Sequence, residues 1–298
     1  MRFVKNPLLI FAFFIHKLPF VIHQVIAWII AIGWFDILRI RRKEATSNVL
    51  RVFPKKSKKQ AQQMARKSLY HMGLTLIEFF DMPFLWEKDF REIYTVEGEE
   101  KINEALKQGK GVFLMSVHLA NGDLGTAALA SWGYKVSIIS KVFQSKWLNR
   151  LWFASREAKG VKFIPPRKST YDILKALKKN EGVIFVLDQY TGPPNGVLTK
   201  FFGHETGTAV GLALFAQRSG APVLPIYTYR TGPNRSKIIV DDPVPFIEKG
   251  DKDETLQYMT QQYNHAVEHA ILQAPEQWMW VHRRWKLGFE GQKLDTET

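Results

Sequence analysis

Five short apolar runs recur along the middle of the chain: Gly111–Val117 (GVFLMSV), Lys135–Ile139, Val161–Ile164, Val183–Leu187 and Val223–Tyr229. Each is too brief for a buried helix and too uniformly apolar for a strand with one wet face, so each reads as a strand covered on both sides. Between them, Lys146–Lys159, Thr170–Lys179 and Thr208–Ser219 have the texture of amphipathic helices. Strand and helix in alternation predict an α/β fold, a central, mostly parallel sheet flanked by helices. A longer amphipathic helix, Glu254–Gln273, follows the proline-punctuated segment Asp241–Pro245. No internal repeat or low-complexity tract interrupts the pattern.

The part before the strands is different. Leu18–Phe35 carries no charged side chain and is rich in Phe, Ile and Trp. Directly after it, residues 39–67 hold eleven Lys/Arg against the single acid Glu44, a net of +10 out of +14 for the whole chain. An apolar stretch with a basic cluster at its end is the pattern of a membrane anchor beside anionic headgroups. Pro19, His23 and Gln24 interrupt the stretch, and no small-residue cleavage site follows, which argues against a secretory signal. A core helix is the bland alternative, and whether an anchor would span the bilayer or lie in its interface is left open. Residues 44–80 read as helical, with Leu69, Met72, Leu76 and Phe79/Phe80 at three- to four-residue spacing. The expected organisation is therefore an apolar membrane-associated helical segment over 1–38, a basic helical juxtamembrane region over 39–90 and an α/β domain over 91–298, with 39–298 forming one structural unit.

Composition removes several chemistries. The chain has no cysteine, which excludes a thiol nucleophile, a thiolate zinc site and an iron–sulfur cluster. The basic excess calls for an anionic partner: nucleic acid, anionic lipid, or an acidic protein or substrate.

Parallel sheets place ligands at the carboxyl ends of their strands. The GVFLMSV run leads into His118-Leu-Ala-Asn-Gly-Asp123, and GVIFVL leads into Asp188-Gln189-Tyr190. A histidine with an aspartate partner makes a general base near neutral pH, because the carboxylate fixes the tautomer and stabilises the imidazolium. Positions i and i+5 fall about 140° apart on a helix, so a His118–Asp123 pair needs a turn between them. Asn121-Gly122 supplies it. A helix starting near Asp123 would aim free N–H groups at a developing oxyanion. The bland reading makes His118 a locally bonded strand-end residue and Asp123 a helix cap.

On these residues the chain resembles the bacterial lipid A biosynthesis acyltransferases, the late lauroyl/myristoyl transferases of lipopolysaccharide synthesis. His118-x4-Asp123 is similar to the H-x4-D/E box of glycerolipid acyltransferases, and HLANGD to its H-x-x-N-x-E/D variant. In order along the chain, Asn48 with Phe53-Pro54, Arg156, Asp188-Gln189, Phe201-Phe202-Gly203, Thr208 with Gly211, the GAPVLP run, Tyr229-Arg230 and PEQWMWVHRR (275–284) fit the same family, over roughly residues 40–286. The chain departs from it in carrying Gly122-Asp123 where Trp-Glu is commonest, and VLDQYTG where lysophosphatidate acyltransferases have Phe-Pro-Glu-Gly.

The resemblance implies direct acyl transfer. His118, oriented by Asp123, deprotonates a hydroxyl of a lipid A precursor, which attacks an acyl thioester on acyl carrier protein or coenzyme A. It implies substrate-binding roles for Asn121, Arg156, Asp188, Gln189 and Arg230, and no cofactor beyond the acyl donor. It also implies acyl carrier protein, the anionic phospholipid membrane and a phosphorylated glycolipid acceptor as partners, at the cytoplasmic face of the inner membrane. The same chemistry on another hydroxylated glycolipid or aminolipid is the alternative, and a membrane-tethered, non-catalytic binding protein the alternative of another class. His265-Ala-Val-Glu-His269 matches a zinc motif formally, yet only 29 residues follow it to supply a third ligand. No metal is expected there. No nucleic-acid-binding motif accompanies the basic block, which adjoins an apolar segment such a protein does not need, so nucleic acid is not expected.

Overall fold

In a computed structural model, the described residues are 7–140, 155–165 and 169–286. The chain opens with a helical hairpin, α1 (Pro7–His16) and α2 (Phe20–Ile32), extended by a π-helical turn over Gly33–Ile37. Then come α3 (Arg42–Val52), α4 (Lys58–Asp81), α5 (Glu87–Ile93), β1 (Tyr94–Glu97), α6 (Glu99–Lys107), β2 (Val112–Ser116), α7 (Gly122–Ser131), β3 (Val136–Ile139) and β4 (Lys162–Ile164). The helix Thr170–Lys178 leads to β5 (Gly182–Val186), the hairpin β6 (Gly196–Phe201) and β7 (His204–Ala209), and the helix Gly211–Ser219. β8 (Val223–Gly232), β9 (Arg235–Val240) and the helix Lys252–Gln273 follow.

Seven strands form one sheet in the order β1-β9-β8-β2-β5-β3-β4. Every neighbouring pair is parallel except β8–β9. The mostly parallel sheet flanked by helices is thus observed, and the five apolar runs are β2, β3, β4, β5 and β8. Two boundaries are corrected. The helical stretch 44–80 is two helices, because Pro54 follows the end of α3 and Ser57 caps α4 through a reciprocal bond with Gln60. Thr208 and Ala209 belong to β7, with the helix starting at Gly211. Most of the expected helix Lys146–Lys159 lies outside the described residues; 155–157 are helical.

Helix α4 ties the molecule together. Toward the hairpin it meets His23, Ala27, Ala31 and Phe35, a four-residue spacing that buries one stripe of the α2 segment. Phe11, Phe14, Val21, Val25, Ile29, Ile32, Ile37 and Leu38 stay exposed. Phe20–Ile37 is long and apolar enough to cross a membrane by length and composition. The approach of the two helices depends on Gly73, where an added Cβ would sit 3.1 Å from the Ala27 Cα and 3.2 Å from its carbonyl oxygen. Gly73→Leu is therefore expected to destabilise the protein by about 1–3 kcal/mol through overpacking, seen as a lower thermal unfolding midpoint in detergent.

Candidate active site

The sheet register brings the site together. β2 and β5 are parallel neighbours with Ser116 opposite Val186, so two residues further on His118 and Asp188 leave the sheet side by side. Asp188 Oδ1 lies 2.7 Å from His118 Nδ1, and Asp188 Oδ2 accepts the His118 backbone N–H at 3.1 Å. The same Oδ2 accepts the Trp278 indole N–H at 2.7 Å. Asp188 is 1% exposed, whereas the His118 side chain is 42% exposed. The carboxylate is sealed in and the ring opens outward.

This corrects the expected partner of the imidazole. Asp123 makes no hydrogen bond with His118; it sits in the first turn of α7 and forms an ion pair with Arg156. The short aspartate arm is already spent on the buried guanidinium, and the sheet supplies His118 with a nearer carboxylate. Because Arg156 is nearly buried, Asp123→Asn breaks a largely desolvated pair, with an expected loss of about 3–5 kcal/mol of stability. Thermal unfolding checks this.

The charges around His118 oppose one another. Burial disfavours the imidazolium, but the Asp188 charge and hydrogen bond, helped by the charge of Asp123, outweigh it and raise the His118 pKa above the usual 6.5. For Asp188, burial favours the neutral acid. The His118 charge, the bonds from its ring and backbone N–H and the Trp278 indole together hold the carboxyl below its ordinary range. His118 and Asp188 therefore form an ion pair when the ring is protonated, and Nδ1–H is held on the Asp188 side when it is not.

The other expected substrate contacts are placed as follows. Asn121 is 3% exposed: its Oδ1 caps α7 at the Leu124 N–H and its Nδ2 donates to Glu78. Arg230 is spent on Glu78, at 2.6 and 3.2 Å, and on Thr75 Oγ1 at 3.0 Å. Both side chains brace the turn after His118, to which Thr75 also donates at the Ala120 carbonyl. Asp188 is sealed beneath the His118 ring, with both carboxylate oxygens engaged. Gln189 places its amide nitrogen, a donor, 3.5 Å from His118 Nε2. Sequence reasoning missed Glu78, and it treated Trp278 as one aromatic of the 275–284 motif with no tie to Asp188.

The 275–285 segment is a clamp behind Asp188. Leu119 and Trp278 form an antiparallel bridge, while Asn48 donates to the carbonyls of Trp280 and His282 and Ser68 to that of Trp278. Arg284, fully buried, reaches the Gly207 carbonyl and Thr208 Oγ1. Asn48, Thr208 and Arg284 thus belong to the buried frame around Trp278. His265 and His269 lie on the exposed face of the last long helix beside Gln261 and Gln273, and Glu268 turns inward to accept the Phe202 N–H. Among the described residues, no group of three or more His, Asp or Glu side chains is placed to hold a metal ion.

Three comparisons with known proteins bear on this arrangement. The profile of the family described as bacterial lipid A biosynthesis acyltransferase matches residues 6–287. The lipid A biosynthesis lauroyltransferase of Escherichia coli (strain K12) is 28% identical over 259 residues, 85% of this chain and 82% of that protein. The palmitoleoyltransferase of the same organism is 27% identical over 252 residues, covering 84% and 80%. Among solved structures, the 1-acyl-sn-glycerophosphate acyltransferase of Thermotoga maritima aligns over 85% of this chain and 96% of its own, at a TM-score of 0.37 and 14% identity.

Proposed function

Because the chain belongs to the bacterial lipid A biosynthesis acyltransferase family, and is thus an O-acyltransferase, we propose that it moves a fatty acyl chain from an acyl thioester to a hydroxyl of a lipid A precursor, with His118 as the general base. The observation that carries this is the imidazole itself. With Nδ1 committed to Asp188, the lone pair lies on Nε2 of a partly exposed ring, where the acceptor hydroxyl would take the place of the Gln189 amide 3.5 Å away. In that tautomer Nε2 takes the proton of the acceptor hydroxyl as its oxygen attacks the thioester carbonyl. A tetrahedral intermediate forms, the carbon–sulfur bond breaks, and the thiolate leaves with the proton that His118 returns. One ester is made for one thioester lost, and neither an acyl-enzyme nor a cofactor is required.

Charge supports acyl carrier protein as the donor's carrier. The +10 block at residues 39–67 offers a basic surface to an acidic protein and to anionic lipid alike. The exposed apolar side of the N-terminal hairpin supports association with the inner membrane at its cytoplasmic face, with α1 and α2 lying against lipid on the side that α4 leaves uncovered.

The test is a product assay. Membranes containing the protein are incubated with lipid A precursor and either acyl carrier protein thioesters or the matching coenzyme A thioesters, and the lipids are weighed by mass spectrometry. A gain of one acyl mass with the carrier-protein donor, and a much smaller gain with coenzyme A, is expected. No gain with either donor overturns the reading.

A further inference from the structure

One residue meets both halves of the candidate dyad. Trp278 pairs its backbone with Leu119, next to His118, and sends its indole N–H to Asp188 at 2.7 Å. It is 1% exposed and wedged among Phe201, Trp280 and Trp285 at ring separations of 4.6–6.2 Å, so its direction is fixed by packing. Ser68 holds its carbonyl from behind. Much of the motif around it serves to keep this one ring in place.

Asp188 accepts three N–H groups, and two of them, the ring and backbone N–H of His118, come from the residue it orients. The third, from Trp278, draws carboxylate charge away from the imidazole. A carboxylate left to face His118 alone in a buried setting pulls harder on the imidazolium and makes the ring a stronger but more often protonated base. A general base works best when its pKa lies near the pH of its task.

We propose that Trp278 is a positioning residue that tempers Asp188 through its indole N–H, so that His118 is released as a neutral base near neutral pH. This rests on the reading of His118 as the general base, but the effect on the ring is measurable without turnover.

The test titrates the C2 proton of His118 by NMR in the whole protein in detergent, with His118→Ala identifying the resonance. In Trp278→Phe, which keeps an aromatic ring and loses the N–H, the midpoint is expected to rise by up to about one pH unit. The rising limb of the kcat–pH profile should move with it. Activity at neutral pH then falls by as much as about tenfold and returns at alkaline pH, with little change in KM. A purely structural role would lower activity at every pH and leave the midpoint alone. Should Trp278→Phe fold poorly, the benzothienyl analogue of tryptophan, which replaces N–H by sulfur in nearly the same shape, carries the same expectation. A midpoint that stays or falls in a folded variant overturns the proposal. Full activity of His118→Ala would instead overturn the assignment of the base, while the titration would still decide what Trp278 does to the ring.

Discussion

His118→Ala is expected to lower acyl transfer by about 10²–10⁴-fold, the usual contribution of a positioned general base. The loss should fall on kcat, because the ring stands at the open side of the site and its removal deletes the proton acceptor. Single-turnover transfer from a preformed acyl thioester, with the unfolding temperature as a control, reads this directly. A folded variant that transfers at close to the wild-type rate would remove His118 from the reaction.

Asp188→Asn should cost a comparable factor, again about 10²–10⁴-fold. An amide has one accepting oxygen where the carboxylate uses two for the backbone N–H, the indole and the imidazole, and it carries no charge to favour the imidazolium. It also allows the ring to take the other tautomer, with its proton on Nε2, where the substrate hydroxyl must deliver one. The pH profile separates this from general damage. In the native protein the neutral base appears only as pH rises through a His118 pKa held above 6.5, so activity climbs through a midpoint above that value. Without the Asp188 charge, burial is the largest remaining influence and disfavours the imidazolium, so the midpoint should drop. Asp123→Asn, whose charge is a smaller influence on the ring and is shared with Arg156, should move it less. If Asp123→Asn shifts the midpoint further than Asp188→Asn does, the partner assigned by the sheet register is wrong.

These expectations show where sequence reasoning stops. β2 and β5 were legible because both are continuous apolar runs, and each was seen to end in polar residues. That β5 lies beside β2 was not, since β3 and β4 intervene in the chain and parallel strands meet through crossovers that leave no local mark. The pairing of His118 with the nearest acid in sequence, Asp123, followed from that gap. The β6–β7 hairpin escaped notice because its residues, such as Thr199, Thr206 and Thr208, are polar and bury hydroxyls against Asn264 and Arg284 rather than an apolar face. The basic residues likewise read as surface, yet Arg66 is bonded to Asp36 through two hydrogen bonds of 2.7 Å and Arg41 reaches the Val281 carbonyl. Charge counts in sequence do not distinguish free cations from spent ones.

The packing of α2 on α4 has a practical side. Ala31 and Phe35 belong to the same continuous core as Phe113, Val183 and Trp278, and Arg66 closes over the Phe35 ring at 5.6 Å. The apolar N-terminal segment is therefore also a wall of the folded core. A chain shortened to begin at residue 39, the obvious route to a water-soluble form, would strip one side of the helix that also holds Glu78 against Arg230 and Thr75 against the Ala120 carbonyl. Keeping the hairpin intact keeps that side of α4 covered, and cutting it away is expected to loosen the turn after His118.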